Sequence, residues 1–165
     1  MALQDTRLIL FDDLSIAGVA TTDTLGDNVW KIDGSQKFFS RAAGGDPIHI
    51  TTGVNDLAKA GRLALVVEVG SEELLASGGT ATIDFKLWEH TAAEVKSGTA
   101  ILSINVPGVT QTTAAAHVTV GKRLFTLIVP PDLWGDTTNM YIGLSAYINT
   151  QTLSTGKINA WLDQI

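Results

Sequence analysis

Few of the residues that could carry chemistry stand at spacings that would let them act together. His49, His90 and His117 lie far apart in the chain. No pair of them has the i, i+4 or His-x-His spacing that builds a metal site locally. Ser154-Thr155-Gly156-Lys157 has the Ser-x-x-Lys spacing of acyl-transferring serine enzymes. That spacing needs a helix to put both side chains on one face, and this one leads into a strand-like run. Gly44-Gly45, Gly53 and Gly78-Gly79 form neither a Gly-x-Gly-x-x-Gly nor a Walker pattern, and they read as turns. Asp12-Asp13 and Glu72-Glu73 offer carboxylates for hydrolysis or calcium. Neighbours on a strand point to opposite faces, so neither pair is expected to act jointly, and both read as solvated. The sequence therefore predicts no catalytic residue, no metal site and no cofactor.

Four tryptophans, Trp30, Trp88, Trp134 and Trp161, keep a binding role open. Indole rings stack on sugar faces, and they also pack beneath loops or at protein interfaces. Trp88 and Trp161 fall on the polar phase of their segments, which leaves exposure open, but strand-end aromatics more often pack under a loop or at an interface, and packing or protein contact is the favoured reading over sugar stacking.

The elements that must position these groups are strands. Leu63, Leu65, Val67 and Val69 share one face of a β-rich run that Gly70 closes. In residues 80–88, Ala81, Ile83, Phe85 and Leu87 alternate with Thr82, Asp84 and Lys86, a period of two that a helix would scatter. Further strands are predicted at residues 101–106, ending before Pro107; at 123–129, ending before Pro130-Pro131; at 140–149; and at 157–162. A short one is predicted near residues 48–51. Residues 7–16 read as a strand or an extended docking arm. Residues 54–60 and 71–76 look helical, each too short to cross over between parallel strands. The predicted fold is all-β: an antiparallel β-sandwich, a jelly roll or another Greek-key arrangement, with one or two short helices. Residues 1–165 make one domain, with an N-terminal arm over about 1–16 and a long loop over about 33–46.

Composition narrows the function classes. The 165 residues are 45% hydrophobic and 17% charged, the makeup of a globular chain with a core. No apolar run is long enough for a spanning helix, and the N-terminus lacks the pattern of a signal peptide. No membrane partner is expected. With no cysteine there is neither a disulfide framework nor a thiol nucleophile. Eleven basic against seventeen acidic side chains give a formal charge of −6, without any basic stripe, so nucleic acid is not an expected partner.

The order of segments adds a resemblance. Leu10-Phe11-Asp12-Asp13-Leu14 is followed by Ala20-Thr21-Thr22-Asp23, then Leu65-Val66-Val67-Glu68-Val69 and the run Gly78-Gly79 through Leu87. After these come Gly121-Lys122-Arg123-Leu124-Phe125, Val129-Pro130-Pro131, Met140-Tyr141-Ile142-Gly143-Leu144, and Thr155-Gly156-Lys157-Ile158-Asn159-Ala160. This order resembles the jelly-roll capsid cement (decoration) proteins of tailed bacteriophages, of the kind that decorates a Bordetella podovirus. The stretch 28–45 has no counterpart in that pattern.

The resemblance implies a non-enzymatic virion protein on the capsid exterior, assembled in the host bacterial cytoplasm. There it would bind the phage major capsid protein and cement neighbouring subunits, as a homodimer or homotrimer at capsid symmetry axes. Contact candidates are Leu8, Leu10 and Phe11 in the arm and Phe38, Phe39 and Arg41 in the long loop, since aromatics and Arg commonly anchor interfaces. The alternative for these six is an edge strand and a cap on the core. The alternative function is a carbohydrate- or receptor-binding module of the virion.

Overall fold

Alternation is the organising feature of the longest segments. In the computed structural model, which describes residues 8–18, 23–32, 39–41, 47–49, 63–91, 94–111, 118–129 and 140–164, strand β7 (Thr80–His90) buries Ala81, Ile83, Phe85 and Leu87 and leaves the residues between them partly exposed. Residues that alternate in this way need a second apolar layer facing them. That layer comes from β5 (Leu63–Val69) and β12 (Lys157–Gln164), whose Leu65, Val67, Val69, Ile158, Ala160 and Leu162 are buried. One hydrophobic cluster joins the two layers.

The remaining strands are β1 (Leu8–Ser15), β2 (Asp23–Ile32), β3 (Phe39–Arg41), β4 (Pro47–His49), β6 (Leu75–Ala76), β8 (Thr99–Thr110), β9 (Arg123–Val129), β10 (Met140–Asn149) and β11 (Leu153–Thr155). The first sheet has the order β1-β12-β5-β9 and the second β2-β10-β7-β8, with every pairing antiparallel. Counting the eight long strands along the chain, the first sheet holds the first, eighth, third and sixth, and the second holds the second, seventh, fourth and fifth. This is the winding of a jelly roll. Two small pairs, β3-β4 and β6-β11, complete the described strands.

Several expectations change. The segment over residues 8–15 is a paired strand and not a free arm, because β1 lies antiparallel to β12. Leu10 and Phe11 are 0% and 1% exposed. Their apolar area is already buried in the core, so neither is presented to a partner. Within the predicted 33–46 loop, residues 39–41 form β3, which pairs with β4 through Phe39↔His49 and Arg41↔Pro47. Residues 71–76 are not helical. The Leu74 N–H donates to the Val118 carbonyl and the Ser77 N–H to that of Thr152, so these groups bond across the chain rather than within a helix. The only described helical piece is a 3-10 turn over Val95–Ser97, and the predicted helix at 54–60 lies outside the described residues.

Pro107 does not end its strand. Ile83 pairs with Val106 and Ala81 with Val109, so β8 carries one extra residue in a bulge containing Pro107 and Gly108. Gly108 has φ +81°, where a glycine is favoured. β8 is the outermost strand of its sheet, which lets the proline forgo a ladder hydrogen bond.

Candidate functional site

The residues whose chemistry is brought together by the fold come from three distant parts of the chain. β1 carries one extra residue relative to β12 between Phe11 and Leu14, and Asp13 there has φ +52°. Asp and Asn tolerate that left-handed conformation better than most residues. The Asp13 N–H donates to Asn159 Oδ1 at 2.7 Å. Its Oδ1 accepts the Ser71 N–H at 2.7 Å, and its Oδ2 accepts the Ser71 hydroxyl at 2.7 Å. Lys157 Nζ lies 3.1 Å from the same Oδ2, 3.4 Å from Ser71 Oγ and 3.7 Å from Glu72 Oε1.

Serine, lysine and aspartate within hydrogen-bond reach have the composition of a nucleophile and its base, but the electrostatics oppose that use. The Lys157 ammonium is held above its ordinary value by the Asp13 carboxylate, through a hydrogen bond and then Coulomb attraction, with Glu72 adding to both. A general base must be neutral at working pH, and this lysine is pushed the other way. The Ser71 hydroxyl donates to Asp13, and a carboxylate held below its ordinary value is a poorer base for taking that proton. The Asp13 carboxyl is held below the usual carboxylate range, first by the Ser71 N–H, then by the Ser71 hydroxyl and by Lys157. The cluster is an electrostatic tie joining the β1 bulge, the turn after β5 and the start of β12.

The tie has a pH signature. Because the folded Asp13 carboxyl titrates below its ordinary value of 3.8, its stabilisation is fully present above that value and is lost as pH falls through the lower folded one. Lys157 is raised above 10.5, so its contribution is present below that value and fades only as pH rises beyond it. An Asp13→Asn variant is expected to have a lower urea midpoint than the wild type at about pH 6, with the difference shrinking at about pH 3. A difference unchanged by acid would show that the Asp13 charge contributes nothing.

Ser154 takes no part in the cluster, since its hydroxyl donates to the Leu75 carbonyl at 3.1 Å. Sequence reasoning thus found Lys157 beside the wrong serine. Ser71 and Asn159 carried no motif that would mark them. A depression of about 300 Å³ adjoins the tie, lined by Ile9, Phe11, Asp12, Asp13, Glu68, Ser71, Asn159 and Trp161. Trp161 is only 6% exposed, so its ring is a wall of the sheet and not a free stacking platform, in line with the packed reading of a strand-end aromatic.

The outer face of the second sheet holds another polar group. Trp88 Nε1 donates to Ser145 Oγ at 2.7 Å, and the buried Ser145 hydroxyl donates to Asp23 Oδ1 at 3.0 Å. Lys86 Nζ stands 3.7 Å from that carboxylate, 5.7 Å from the Trp88 ring centre and 5.1 Å from that of Tyr147. Alongside, Asp84 accepts from Asn105 at 2.6 Å and from Asn149. The half-exposed Trp88 and Tyr147 with a cation between them form a polar aromatic surface.

The third feature is the flank where both sheets end. β1 packs along β2 and closes one side of the sandwich, whereas β8 and β9 are the outer strands on the other. Along that side Ile101, Leu102, Leu124 and Phe125 pack on the core but remain partly exposed.

The other predicted residues are placed as follows. His90 ends β7, with Nε2 at 3.4 Å from Ser97 Oγ. His49 belongs to β4, and His117 lies outside the described residues. Among the described residues, no three His, Asp or Glu side chains gather where they could hold a metal ion. None of the described helices is long and apolar enough to cross a membrane. Of the six interface candidates, Leu10 and Phe11 are core residues; Leu8, Phe39 and Arg41 are placed by backbone in β1 and β3; and Phe38 lies outside the described residues. Trp30 is placed by backbone in β2, and Trp134 lies outside the described residues.

No protein-family model matches the chain, and no curated protein matches it.

Proposed function

We propose that the protein is a structural component of a tailed-phage virion that binds the outer surface of the capsid and cements neighbouring major capsid protein subunits. The observation that carries this reading is the division of labour in the jelly roll. Its clustered charges, Asp13 with Lys157 and Glu72, are engaged in tying strands together, while along the flank of β8 and β9 no further strand pairs among the described residues and apolar side chains remain partly exposed. A rigid body with an available apolar strip suits a part that bridges subunits. The segment order resembling capsid cement proteins supports the same reading, and it brings with it a homodimer or homotrimer at capsid symmetry axes.

Cementing is mass action. A protein that binds the assembled lattice and not its separated subunits shifts the equilibrium by its differential affinity, and repetition over many sites lets modest contacts per copy suffice. Co-sedimentation of the protein with shells lacking it, followed by heating, tests the proposal. Saturable binding with a raised disruption temperature is the expected result. Shells that neither bind the protein nor gain heat resistance would sink it.

A carbohydrate- or receptor-binding role is the second reading, favoured by Trp88 and Tyr147 around Lys86 on the outer sheet face. Retention on a glycan array that disappears in a Trp88→Ala variant would establish it in place of cementing.

A further inference from the structure

We infer that the open flank takes an extended, uncharged segment of the coat protein as an added β-strand alongside residues 102–106 of β8. The inference rests on the cementing reading and names the contact it would use.

The argument begins with the edge itself. β8 is the longest described strand, 12 residues, and TAILSINVPGVT contains no charge. It pairs with β7 on one side, and among the described residues no strand pairs with it on the other. Soluble proteins guard such edges with lysines, prolines and bulges, because a bare row of N–H and C=O groups templates another strand. The guards on β8 are confined to its ends. One register shift lies between Ala100 and Leu102, and the other, with Pro107, lies between Val106 and Val109. Residues 102–106 between them run in regular register with Leu87, Lys86, Phe85, Asp84 and Ile83, and they carry neither charge nor proline.

The side chains then say what kind of strand would fit. Leu102 and Ile104 share the phase of buried Leu87 and Phe85, yet both remain half-exposed, and among the described residues no strand lies over this rim. Across the gap, Leu124 and Phe125 of the other sheet are in the same condition. An incoming strand would satisfy the edge's backbone groups and cover this apolar rim with alternate side chains, the two components of strand addition. An uncharged strand matches the uncharged edge. A second copy fits less well. Each chain carries a formal charge of −6, and a copy pairing through its own β8 would bring its own bulges to either end of the pairing window.

Hydrogen exchange of the protein, free and bound to shells that lack it, tests this. The expected result is exchange at residues 102–106 slowed about tenfold or more on binding. An Ile104→Lys variant, placing an ammonium on the rim, is expected to weaken co-sedimentation about tenfold while still unfolding cooperatively. Should that variant fail to fold, exchange on the wild type decides. Binding with exchange at 102–106 unchanged overturns the inference alone. Absence of wild-type binding overturns the cementing reading and this inference with it. Slowing that arises when free protein is concentrated into a dimer assigns the edge to a second copy and overturns the coat-protein assignment.

Discussion

Phe85→Ala is expected to lower the unfolding free energy by about 3–5 kcal/mol, the usual cost of emptying a phenylalanine site in a core. Phe85 is 1% exposed on β7, an interior strand of the second sheet. Its ring meets Phe125 of β9 edge to face, with centroids 5.4 Å apart and planes at 66°. β9 belongs to the first sheet, so the pair joins the two layers. Edge-to-face pairs contribute about 0.5–1.5 kcal/mol beyond burial. Domains have about 5–15 kcal/mol of stability in all, so the variant should be visibly marginal. A denaturant titration would measure the loss. A change under about 1 kcal/mol would mean that the two sheets do not depend on this contact for closure.

The second large effect is expected from Gly26→Ala in β2. A Cβ at this position would stand 2.5 Å from the Leu10 carbonyl oxygen and 2.5 Å from the Cδ1 and Cε1 atoms of Phe11. The oxygen is backbone and the ring is buried, so neither can swing aside without moving β1. Overpacking of this kind costs about 1–3 kcal/mol, and each kcal/mol lowers the melting temperature by about 2–4 °C at this chain length. Thermal unfolding would record the shift, and faster hydrogen exchange in β1 would show where the strain goes. A melting temperature equal to that of the wild type would mean that β1 and β2 can separate freely, and that the closed flank is looser than its packing indicates.

The closed flank also explains one failure of sequence reading. β7 was legible because its two faces meet different solvents, which writes a period of two into the residues. β2 was not. It is an outer strand, Gly26 is required by the close approach of β1, and the register with β10 shifts between Leu25 and Val29. None of its neighbours in sequence reveals those causes. Pro107 misled for a related reason, since a proline ends an interior strand but is accommodated in the bulge of an outer one.

The charged tie was less legible still. Asp13 and Ser71 are 58 residues apart, Ser71 and Lys157 are 86, and Asp13 and Lys157 are 144. Local spacing offered Ser154 to Lys157, but the Ser154 hydroxyl is engaged by the Leu75 carbonyl. Treating Asp12 and Asp13 as alternating neighbours on a regular strand also hid the left-handed turn that aims Asp13 at Ser71.

By itself the sequence determined the all-β class and the core-facing residues of the strands that alternate most regularly, β5, β7 and β12. Apolar alternation and turn residues act over a few positions, so they can be read without knowing what packs against them. The same local reading ruled out a thiol site and a disulfide framework, because composition alone decides those. Only the tertiary structure decided which strands pair, that Leu10 and Phe11 belong to the core, that Lys157 is tied to Asp13, and that β8 and β9 are outer strands with partly exposed apolar side chains. Those outcomes depend on groups brought together from distant parts of the chain, and their energies exist only once both sheets have closed on the core between them.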